Sequence, residues 1–396
     1  MNHPDFFADR MHAIPESFIR EILKVAASND VISFAGGLPN PAFFPVEELA
    51  VAAERVISRD GRAALQYGPT EGFMPLREYL AERQSSRAGF RVSTDQILIL
   101  NGAQQGLDLA AKIFCNKNTP LLLEEPSYLG AIQAFSAYEP TLHSVPLDDE
   151  GADPVEFSRL ASTIDPAFFY CIPNFQNPTG GTYSKERRIQ LVEAQKHSDM
   201  FWVEDNPYGD VKFSNSDEPD IYTLHPDRTI HLGSFSKIVS PGLRLGWATA
   251  PAYIIRKMTI AKQASDLHSN LLAQRILYQF LCDHSLEAHV KKVSTFYKNQ
   301  CAIMSETIRA TFPEGISFTQ PQGGMFLWIT LPATMDAEDI LRESMAKGVV
   351  FVPGHHFFLD RSHGRNTMRL NYSASTEETM RKGLAIIAEI IRSRMS

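Results

Sequence analysis

The stretch Ser234-Phe-Ser-Lys237, followed four residues later by Pro241-Gly-Leu-Arg-Leu-Gly-Trp247, decides the fold. One lysine stands among small hydroxyl residues, with a glycine turn and Arg244 close behind it. A lysine in a partly desolvated, cationic neighbourhood loses its proton more easily and becomes a nucleophile that forms an imine with an aldehyde. The hydroxyls and the arginine suit the phosphate oxygens of such an aldehyde. The stretch therefore predicts a site for pyridoxal 5'-phosphate (PLP), the common cofactor of this description.

Short apolar runs alternate with helical patterns on either side of this stretch. The runs cover residues 97–100, 120–123, 167–172, 201–203, 229–232 and 245–250. Helical periodicity fills several of the gaps, at residues 104–114, 129–137 and 185–197. Apolar strands that alternate with helices indicate a mostly parallel sheet that is buried on both faces. The pattern therefore predicts an α/β fold.

The pattern changes after about residue 250 and suggests more than one domain. A long helical region reaches about residue 311, and short strands and helices then alternate to the end of the chain. At the start, Ser17 can cap a helix that carries Phe18 and Ile22 on its apolar side. A chain of 396 residues also exceeds one ordinary core. The expected domains are an N-terminal helix and loop that belongs to the small domain or forms a substrate lid (1–45), a large PLP-binding α/β domain (46–290) and a small C-terminal α+β domain (291–396).

Composition and charge limit the expected binding partners and cellular location of the protein. The formal net charge of -8 gives no electrostatic encouragement to nucleic acid or anionic membranes as partners. The four cysteines lie far apart without a C-x-x-C pair, which favours free thiols in a reducing compartment. The first residues lack the pattern of a secretory signal, and no apolar run approaches the roughly 20 residues that span a bilayer. We therefore expect a cytoplasmic protein.

Polar clusters follow the predicted strands at their carboxyl ends, where open α/β sheets bind ligands. The clusters are Asn101–Gln105, Asn174–Gly180, Glu204–Tyr208 and Ser234–Lys237, and Arg369 adds a charge inside an apolar run near the C-terminus. Each of them alone also fits a structural role: a turn, a helix cap, a solvated lysine, or a buried arginine with an internal partner. Their joint presence in this order favours one active site.

In this order the clusters make the chain resemble the fold-type I PLP-dependent aminotransferases of class I/II, and most of all the 2-aminoadipate/kynurenine aminotransferase branch. The resemblance covers essentially the whole chain. Its segments are Ser33–Pro39, Gln66–Gly72, Pro126–Gly130, Asn177–Gly180, Ser234–Lys237, Gly323–Phe326 and Phe351–Gly354. It implies a large domain with a mostly parallel sheet of the seven-stranded type between helices, a smaller α+β domain and a homodimer.

The resemblance also implies a role for each site residue. Lys237 would hold the cofactor covalently and act as the general base, Asp205 would keep the pyridine nitrogen protonated, and Arg369 would bind the substrate α-carboxylate. Asn177 and Tyr208 would donate to the phenolate oxygen, and Tyr128 would stack on the ring. The phosphate would be held by Ser234, Ser236, Arg244, the backbone N–H groups of Ala103 and Gln104, and Tyr67 of the neighbouring subunit. Gly37, Asn177 and Tyr67 would also face the substrate.

Two departures from the family and one specificity candidate bear on these roles. Ala103 stands where many relatives have serine, which removes one hydroxyl but keeps the backbone N–H. Asn206 follows Asp205 where a second acid is common. Arg20 lies in a segment similar to the mobile N-terminal helix of the 2-aminoadipate branch, where an arginine can meet an acidic side chain; it also fits a surface charge on an amphipathic helix. The resemblance implies a reaction that moves an amino group between an L-amino acid (2-aminoadipate, glutamate, aliphatic or aromatic) and a 2-oxo acid such as 2-oxoglutarate, with ping-pong kinetics through pyridoxamine phosphate.

Two alternatives stay open at this point. A PLP-dependent lyase or decarboxylase would use the same scaffold, and some transcription regulators carry an aminotransferase-like sensor domain behind a basic DNA-binding module. His355, His356 and His363 lack cysteines or carboxylates at metal-ligand spacing, so a loop or core role is expected for them and no metal is. The serine hydrolase elbow and the nucleotide phosphate loop are both missing from the sequence.

Overall fold

The computed structural model describes residues 6–14, 18, 22, 31–195, 198–214 and 218–395. Most of the helix expected after Ser17 lies outside the described residues, and so does Arg20.

Fourteen strands lie in the described part of the chain. In chain order they are β1 (Ile32–Ser33), β2 (Ile97–Leu100), β3 (Pro120–Glu125), β4 (Thr141–Asp148), β5 (Gly151–Ala152), β6 (Phe168–Cys171), β7 (Phe201–Asp205), β8 (Thr229–Ser234), β9 (Gly246–Thr249), β10 (Ser317–Phe318), β11 (Phe326–Thr330), β12 (Val349–Val350), β13 (Val352–Pro353) and β14 (Thr367–Asn371).

Eight of these strands form one large sheet in the order β2-β9-β8-β7-β6-β3-β4-β5. The run β8-β7-β6-β3-β4 is parallel, whereas β9 lies antiparallel between β2 and β8. The central strands β6, β7 and β8 and the edge strand β2 are buried at every residue, as the unbroken apolar runs predict for strands covered on both faces. The predicted α/β class and the mostly parallel sheet are confirmed.

Helices cover both faces of this sheet and continue into the C-terminal region. They are Arg10–Ala13, Val46–Ala64, Met74–Ala88, Ala103–Phe114, Leu129–Ser136, Pro154–Thr163, Lys185–Ala194, Ile221–Leu224, Ala252–Asp266, Leu271–Asp283, Leu286–Thr311, Ala337–Ala346 and Glu377–Met395. The single helical region expected from residue 252 to about 311 is thus three helices. Asn270 and Ser285 cap the second and third of them through their side chains, which explains the two breaks.

A second, four-stranded antiparallel sheet has the order β10-β11-β14-β13. Arg369 lies at the centre of β14, opposite Trp328 of β11 and Val352 of β13. The sheet packs with the helices Leu286–Thr311 and Glu377–Met395, which also contact each other. This second sheet therefore carries Arg369 toward the carboxyl edge of the first.

The N-terminal segment joins the C-terminal region, because β1 pairs in parallel with β12. The expected domain division, with boundaries at residues 45 and 290, stays a prediction. Among the described helices, none has both the length and the apolar character to cross a bilayer.

Candidate active site

The carboxyl ends of the parallel strands surround one cavity of about 330 Å³. Among the described residues, every one that the sequence assigned to the site lines it except Tyr67. These residues are Gly37, Ala103, Gln104, Tyr128, Asn177, Asp205, Tyr208, Ser234, Ser236, Lys237, Arg244 and Arg369. The cavity therefore contains a lysine, a carboxylate, two arginines and two tyrosines.

Lys237 follows β8 directly and reaches into this cavity. Its Nζ donates to the carbonyl oxygen of Gly37 at 2.6 Å and lies 5.9 Å from the ring centroid of Tyr208. Burial, together with the positive charges of Arg369 and Arg244, lowers the pKa of Lys237 to about 8. At pH 7 roughly a tenth of this amine is therefore unprotonated and nucleophilic, far more than for an ordinary lysine with a pKa of about 10.4.

Gly37 brings its backbone against the lysine because it has no side chain. A Cβ on Gly37 would lie 2.9 Å from Cζ of Phe326, which is itself buried. A larger residue would displace either the Phe326 ring or the carbonyl that contacts Lys237. This close approach explains the glycine at this position in physical terms.

Asp205 closes β7 and is 2% exposed. Its Oδ2 accepts a hydrogen bond from the Tyr170 hydroxyl at 3.1 Å, whereas its Oδ1 has no hydrogen-bond partner among the described residues. Burial raises the pKa of Asp205 to about 7, against the opposing effects of Tyr170 and His231. A buried carboxylate oxygen without a partner, on the wall of a cavity, suits a cationic ring nitrogen.

Arg369 is 1% exposed and forms no ion pair with a carboxylate in the part of the chain that the structure describes. One Nη donates to Asn177 Oδ1 at 2.7 Å and the other to the carbonyl oxygen of Ala35 at 2.6 Å. The guanidinium also lies over the rings of Phe326 and Phe357, at 4.3 and 5.0 Å from their centroids. Since a buried cation needs an anion, this geometry provides a carboxylate-binding end for the cavity.

The opposite end of the cavity is built for a phosphate. The helix Ala103–Phe114 begins there with no side-chain cap, so its first N–H groups are available to an anion. The Gln104 side chain donates to the carbonyl of Gly130, which leaves only its backbone N–H for this purpose. Ser234 and Ser236 complete this end, and the Ser236 N–H donates to the Ser234 hydroxyl at 3.2 Å.

Arg244 adds a positive charge at the same end through an unusual backbone conformation. Its φ is +52°, and one Nη donates to the carbonyl of Asn101 at 3.3 Å. Gly102, with φ of +77°, leaves room for it, because a Cβ there would lie 2.6 Å from the guanidinium nitrogen. Ala103 lies at the same end of the cavity and offers its backbone N–H group to the phosphate, although it lacks the hydroxyl of a serine.

Two tyrosines and the second departure from the family complete the site. Tyr208 is buried, and its pKa is raised by desolvation, so it remains a hydroxyl donor. Tyr128 also lines the cavity. Asn206 turns away, accepting from Asn174 and donating to Asp220, and does not compete with Asp205.

Tyr67 does not line this cavity. Tyr67 is 78% exposed and its ring contacts His268 edge-on, with centroids 5.7 Å apart. Arg20 lies outside the described residues. Their roles stay predictions.

Tyr170 is the residue that sequence reasoning missed. It is a buried strand residue of β6, paired in register beside Val203 of β7, and it donates to Asp205. In the sequence it is one of several aromatic residues in an apolar run, so only its position next to the strand that ends in Asp205 could have identified it.

Comparison with known proteins identifies the family. A family model for aminotransferase class I and II matches residues 29–387. The chain is 39% identical to aromatic-amino-acid aminotransferase 1 of Thermococcus litoralis, over 100% of this chain and 96% of the relative. It is 38% identical to a 2-aminoadipate transaminase of Thermus thermophilus, over 96% of this chain and 94% of that protein. A solved kynurenine aminotransferase of Pyrococcus horikoshii, in complex with PMP, has a TM-score of 0.94 at 39% identity, covering 99% and 98% of the two chains.

The fold and the cavity define a PLP-dependent transferase of fold type I. The chain belongs to the aminotransferase class I and II family, and it is a PLP-dependent aminotransferase. The predictions of family, fold, enzyme class and cofactor are confirmed.

Proposed function

We propose that this aminotransferase moves amino groups between glutamate and 2-oxoglutarate on one side and a longer acidic, aliphatic or aromatic L-amino acid and its 2-oxo acid on the other. The observation that carries the proposal is Arg369, a buried cation without a carboxylate partner among the described residues, on the same cavity as Lys237. A two-pronged guanidinium matches the α-carboxylate that all these substrates share.

Each of the main cavity residues has a separate role in the proposed reaction. PLP supplies an aldehyde and a ring that accepts electrons from the substrate. Lys237 would provide the amine that holds the aldehyde and the base that takes the proton from the substrate Cα. Asp205 would balance a positive charge on the ring nitrogen, and Arg369 would bind the α-carboxylate so that the Cα lies near Lys237 Nζ.

The hydrogen-bonding groups set the orientation of the bound molecules. Asn177 contacts both Arg369 and Tyr208, so it links the carboxylate end to the hydroxyl that would donate to the phenolate oxygen. Ser234, Ser236, Arg244 and the N–H groups of Ala103 and Gln104 would hold the phosphate, and Tyr128 would cover the ring. The donors at the two ends thereby fix the position of the reacting atoms between them.

Arg20 is proposed to recognise the acidic side chain of glutamate and 2-aminoadipate. The proposal rests on the resemblance of its segment to the 2-aminoadipate branch, and on the relatives named above, which include a 2-aminoadipate transaminase. An arginine in reach of a side-chain carboxylate favours acidic substrates over neutral ones by a charge-assisted hydrogen bond.

Substitutions of Arg369 and Arg20 are expected to have different effects on kcat/KM across a panel of amino donors tested with 2-oxoglutarate. Arg369→Ala should lower kcat/KM by roughly 30- to 200-fold for every donor, because each loses hydrogen bonds to a charged group. Arg20→Ala should lower it by roughly tenfold or more for glutamate and 2-aminoadipate only. Leucine is the neutral donor for this comparison, and the exposed Arg342→Ala is the control variant.

Initial rates of 2-oxo acid formation provide the measurement. Unchanged values for glutamate and 2-aminoadipate in Arg20→Ala would remove the assignment of Arg20. An Arg369→Ala effect confined to one donor would contradict a common carboxylate site, and absence of transamination with the whole panel would sink the proposed substrates.

We further propose that the enzyme is a homodimer in which Tyr67 completes the phosphate site of the neighbouring subunit. Large apolar side chains lie exposed on and just after the helix Val46–Ala64, in the segment that leads to Tyr67. They are Val46, Val51, Ile57 and Leu65. A second copy of the chain would cover these apolar side chains.

We also propose that the enzyme is located in the cytoplasm, because its free cysteines suit a reducing compartment.

Hybrid dimers test the position of Tyr67. Tyr67→Phe is expected to weaken PLP binding by roughly tenfold through the loss of one charge-assisted hydrogen bond. In a hybrid of a Tyr67→Phe chain with a Lys237→Ala chain, only the first chain retains Lys237. If Tyr67 acts across the interface, that site receives an intact Tyr67 and binds PLP with the affinity of the wild type. An affinity as weak as in the Tyr67→Phe homodimer would place Tyr67 within its own chain's site.

A further inference from the structure

A cluster of two imidazoles and one carboxylate lies apart from the residues that line the active-site cavity. His355 and His356 belong to the short 3-10 helix Gly354–Phe357, and Glu338 lies in the first turn of the helix Ala337–Ala346. The Nε2 atoms of His355 and His356 are 3.9 and 3.8 Å from the same oxygen, Oε2 of Glu338. The sequence showed no carboxylate at ligand spacing, because Glu338 comes from a different element.

The polar atoms of this cluster lack partners within the described residues. Both ring nitrogens of His356, Nδ1 of His355 and Oε2 of Glu338 are buried without a hydrogen bond there. His356 is 8% exposed. Buried polar groups without partners are rare in folded proteins and point to an unrecorded ligand.

The distances suit one metal ion. One ligand atom from each residue lies within 4.8 Å of the others. Zinc bound at about 2.0–2.1 Å in tetrahedral geometry places neighbouring ligand atoms roughly 3.4 Å apart. The two imidazole–carboxylate distances therefore need to close by about half an ångström, and the largest separation in the cluster by at most about 1.4 Å, through χ rotations of the three side chains.

The charges and ring positions around the cluster are compatible with a cation. Arg365 pairs with Asp336 and Arg342 with Asp339, which offsets most of the nearby positive charge, although Arg361 acts against a cation. Phe18 stacks on the His356 ring with centroids 3.7 Å apart and an angle of 16°. Stacking covers the face of the ring, whereas the nitrogen lone pairs lie in its plane and stay available.

We propose that Glu338, His355 and His356 form a binding site for one divalent transition-metal ion of the zinc class. Two imidazoles and a carboxylate are ligands that zinc prefers, and the open fourth position would hold a water molecule. The ion would join the helix Ala337–Ala346 to the turn Gly354–Phe357. Because Phe18 stacks on His356, the ion would also hold the Phe18 ring against that turn.

Zinc binding by the full-length holoenzyme, without an affinity tag and free of excess PLP, tests this site. All proteins compared, the reference included, carry Cys282→Ser, because an exposed free thiol can bind zinc by itself. Equilibrium dialysis and elemental analysis are expected to find one zinc ion per chain. Glu338→Gln should raise the Kd for zinc by roughly tenfold or more, and His356→Ala should abolish binding. His363→Ala is the matched control, since this histidine is 61% exposed and outside the cluster. Magnesium should not bind, since it prefers oxygen ligands.

The result that overturns the proposal is equally direct. No zinc bound to the wild type, or a stoichiometry and Kd that His356→Ala leaves unchanged, means that the imidazoles have a packing role only. X-ray absorption of the zinc-loaded wild type gives a readout that does not depend on the folding of a variant. Two nitrogen ligands with oxygen support the site, and sulfur ligands or oxygen alone refute it.

Discussion

Lys237→Ala is expected to abolish transamination, lowering kcat by roughly 10⁴-fold or more, the upper end of what one positioned proton-transfer group contributes. The variant removes the amine that holds the aldehyde and also the base that reaches the substrate Cα. In the structure Nζ stands in the cavity beside Gly37 and Tyr208, with no second lysine among the described lining residues. Initial rates and borohydride reduction followed by peptide mapping measure the two losses separately.

Two variants control for this result. Lys237→Arg keeps the positive charge but offers no amine for covalent attachment, so it should be as inactive as Lys237→Ala. Lys257→Ala removes an exposed lysine from the helix Ala252–Asp266 and should keep full activity. A reduced adduct that persists on another lysine in Lys237→Ala, with activity, would contradict the assignment.

The lowered pKa of Lys237 adds a pH signature. Only the neutral amine attacks an aldehyde, and its pKa in the protein without cofactor is about 8. The rate of PLP capture should therefore rise with pH and level off above about 8, rather than rise on toward the ordinary lysine pKa of about 10.4. Stopped-flow absorbance of the apoenzyme mixed with PLP records this profile.

The active site was predictable from sequence because its residues follow strands that could be recognised from apolar runs alone. Lys237 and Asp205 come directly after β8 and at the end of β7, whose residues are all buried. In a parallel sheet the carboxyl ends of the strands lie at one edge, so motifs that are far apart in sequence line the same cavity. Arg369 lies far away in sequence and was placed by resemblance, since nothing local shows which edge β14 faces.

Other features depend on contacts between distant segments and were out of reach. The strand β4 escaped recognition because it is mostly exposed or half-buried and lacks an apolar run. Tyr170 acquires its contact with Asp205 only through the register of β6 and β7. Glu338 approaches His356 only because the second sheet and its helices bring the two elements together. Tyr67 does not line the cavity of its own chain, and its role stays a prediction.

The second large effect is expected for Asp205→Asn, which should lower kcat/KM by roughly 100- to 5,000-fold. The amide keeps the shape and can still accept from Tyr170, but it carries no charge to balance a protonated ring nitrogen. Removing one partner of a buried charge pair costs about 3–5 kcal/mol, and each 1.36 kcal/mol is about tenfold in rate. Initial rates with glutamate and 2-oxoglutarate measure the effect, and the exposed Asp149→Asn is the control.

The apoenzyme distinguishes this electrostatic role from damage to the fold. Burial raises the pKa of Asp205 to about 7 in the folded protein, against about 3.9 in an unfolded chain. The folded state therefore holds a proton that the unfolded state has released, and stability contributed by this group falls as pH rises between these two values. The amide of Asp205→Asn does not titrate, so the apo variant should be more stable than apo wild type at pH 8 and similar to it near pH 4. Thermal unfolding at both pH values checks this; an inactive variant that is also less stable at pH 8 would trace the lost activity to folding instead of to the missing charge.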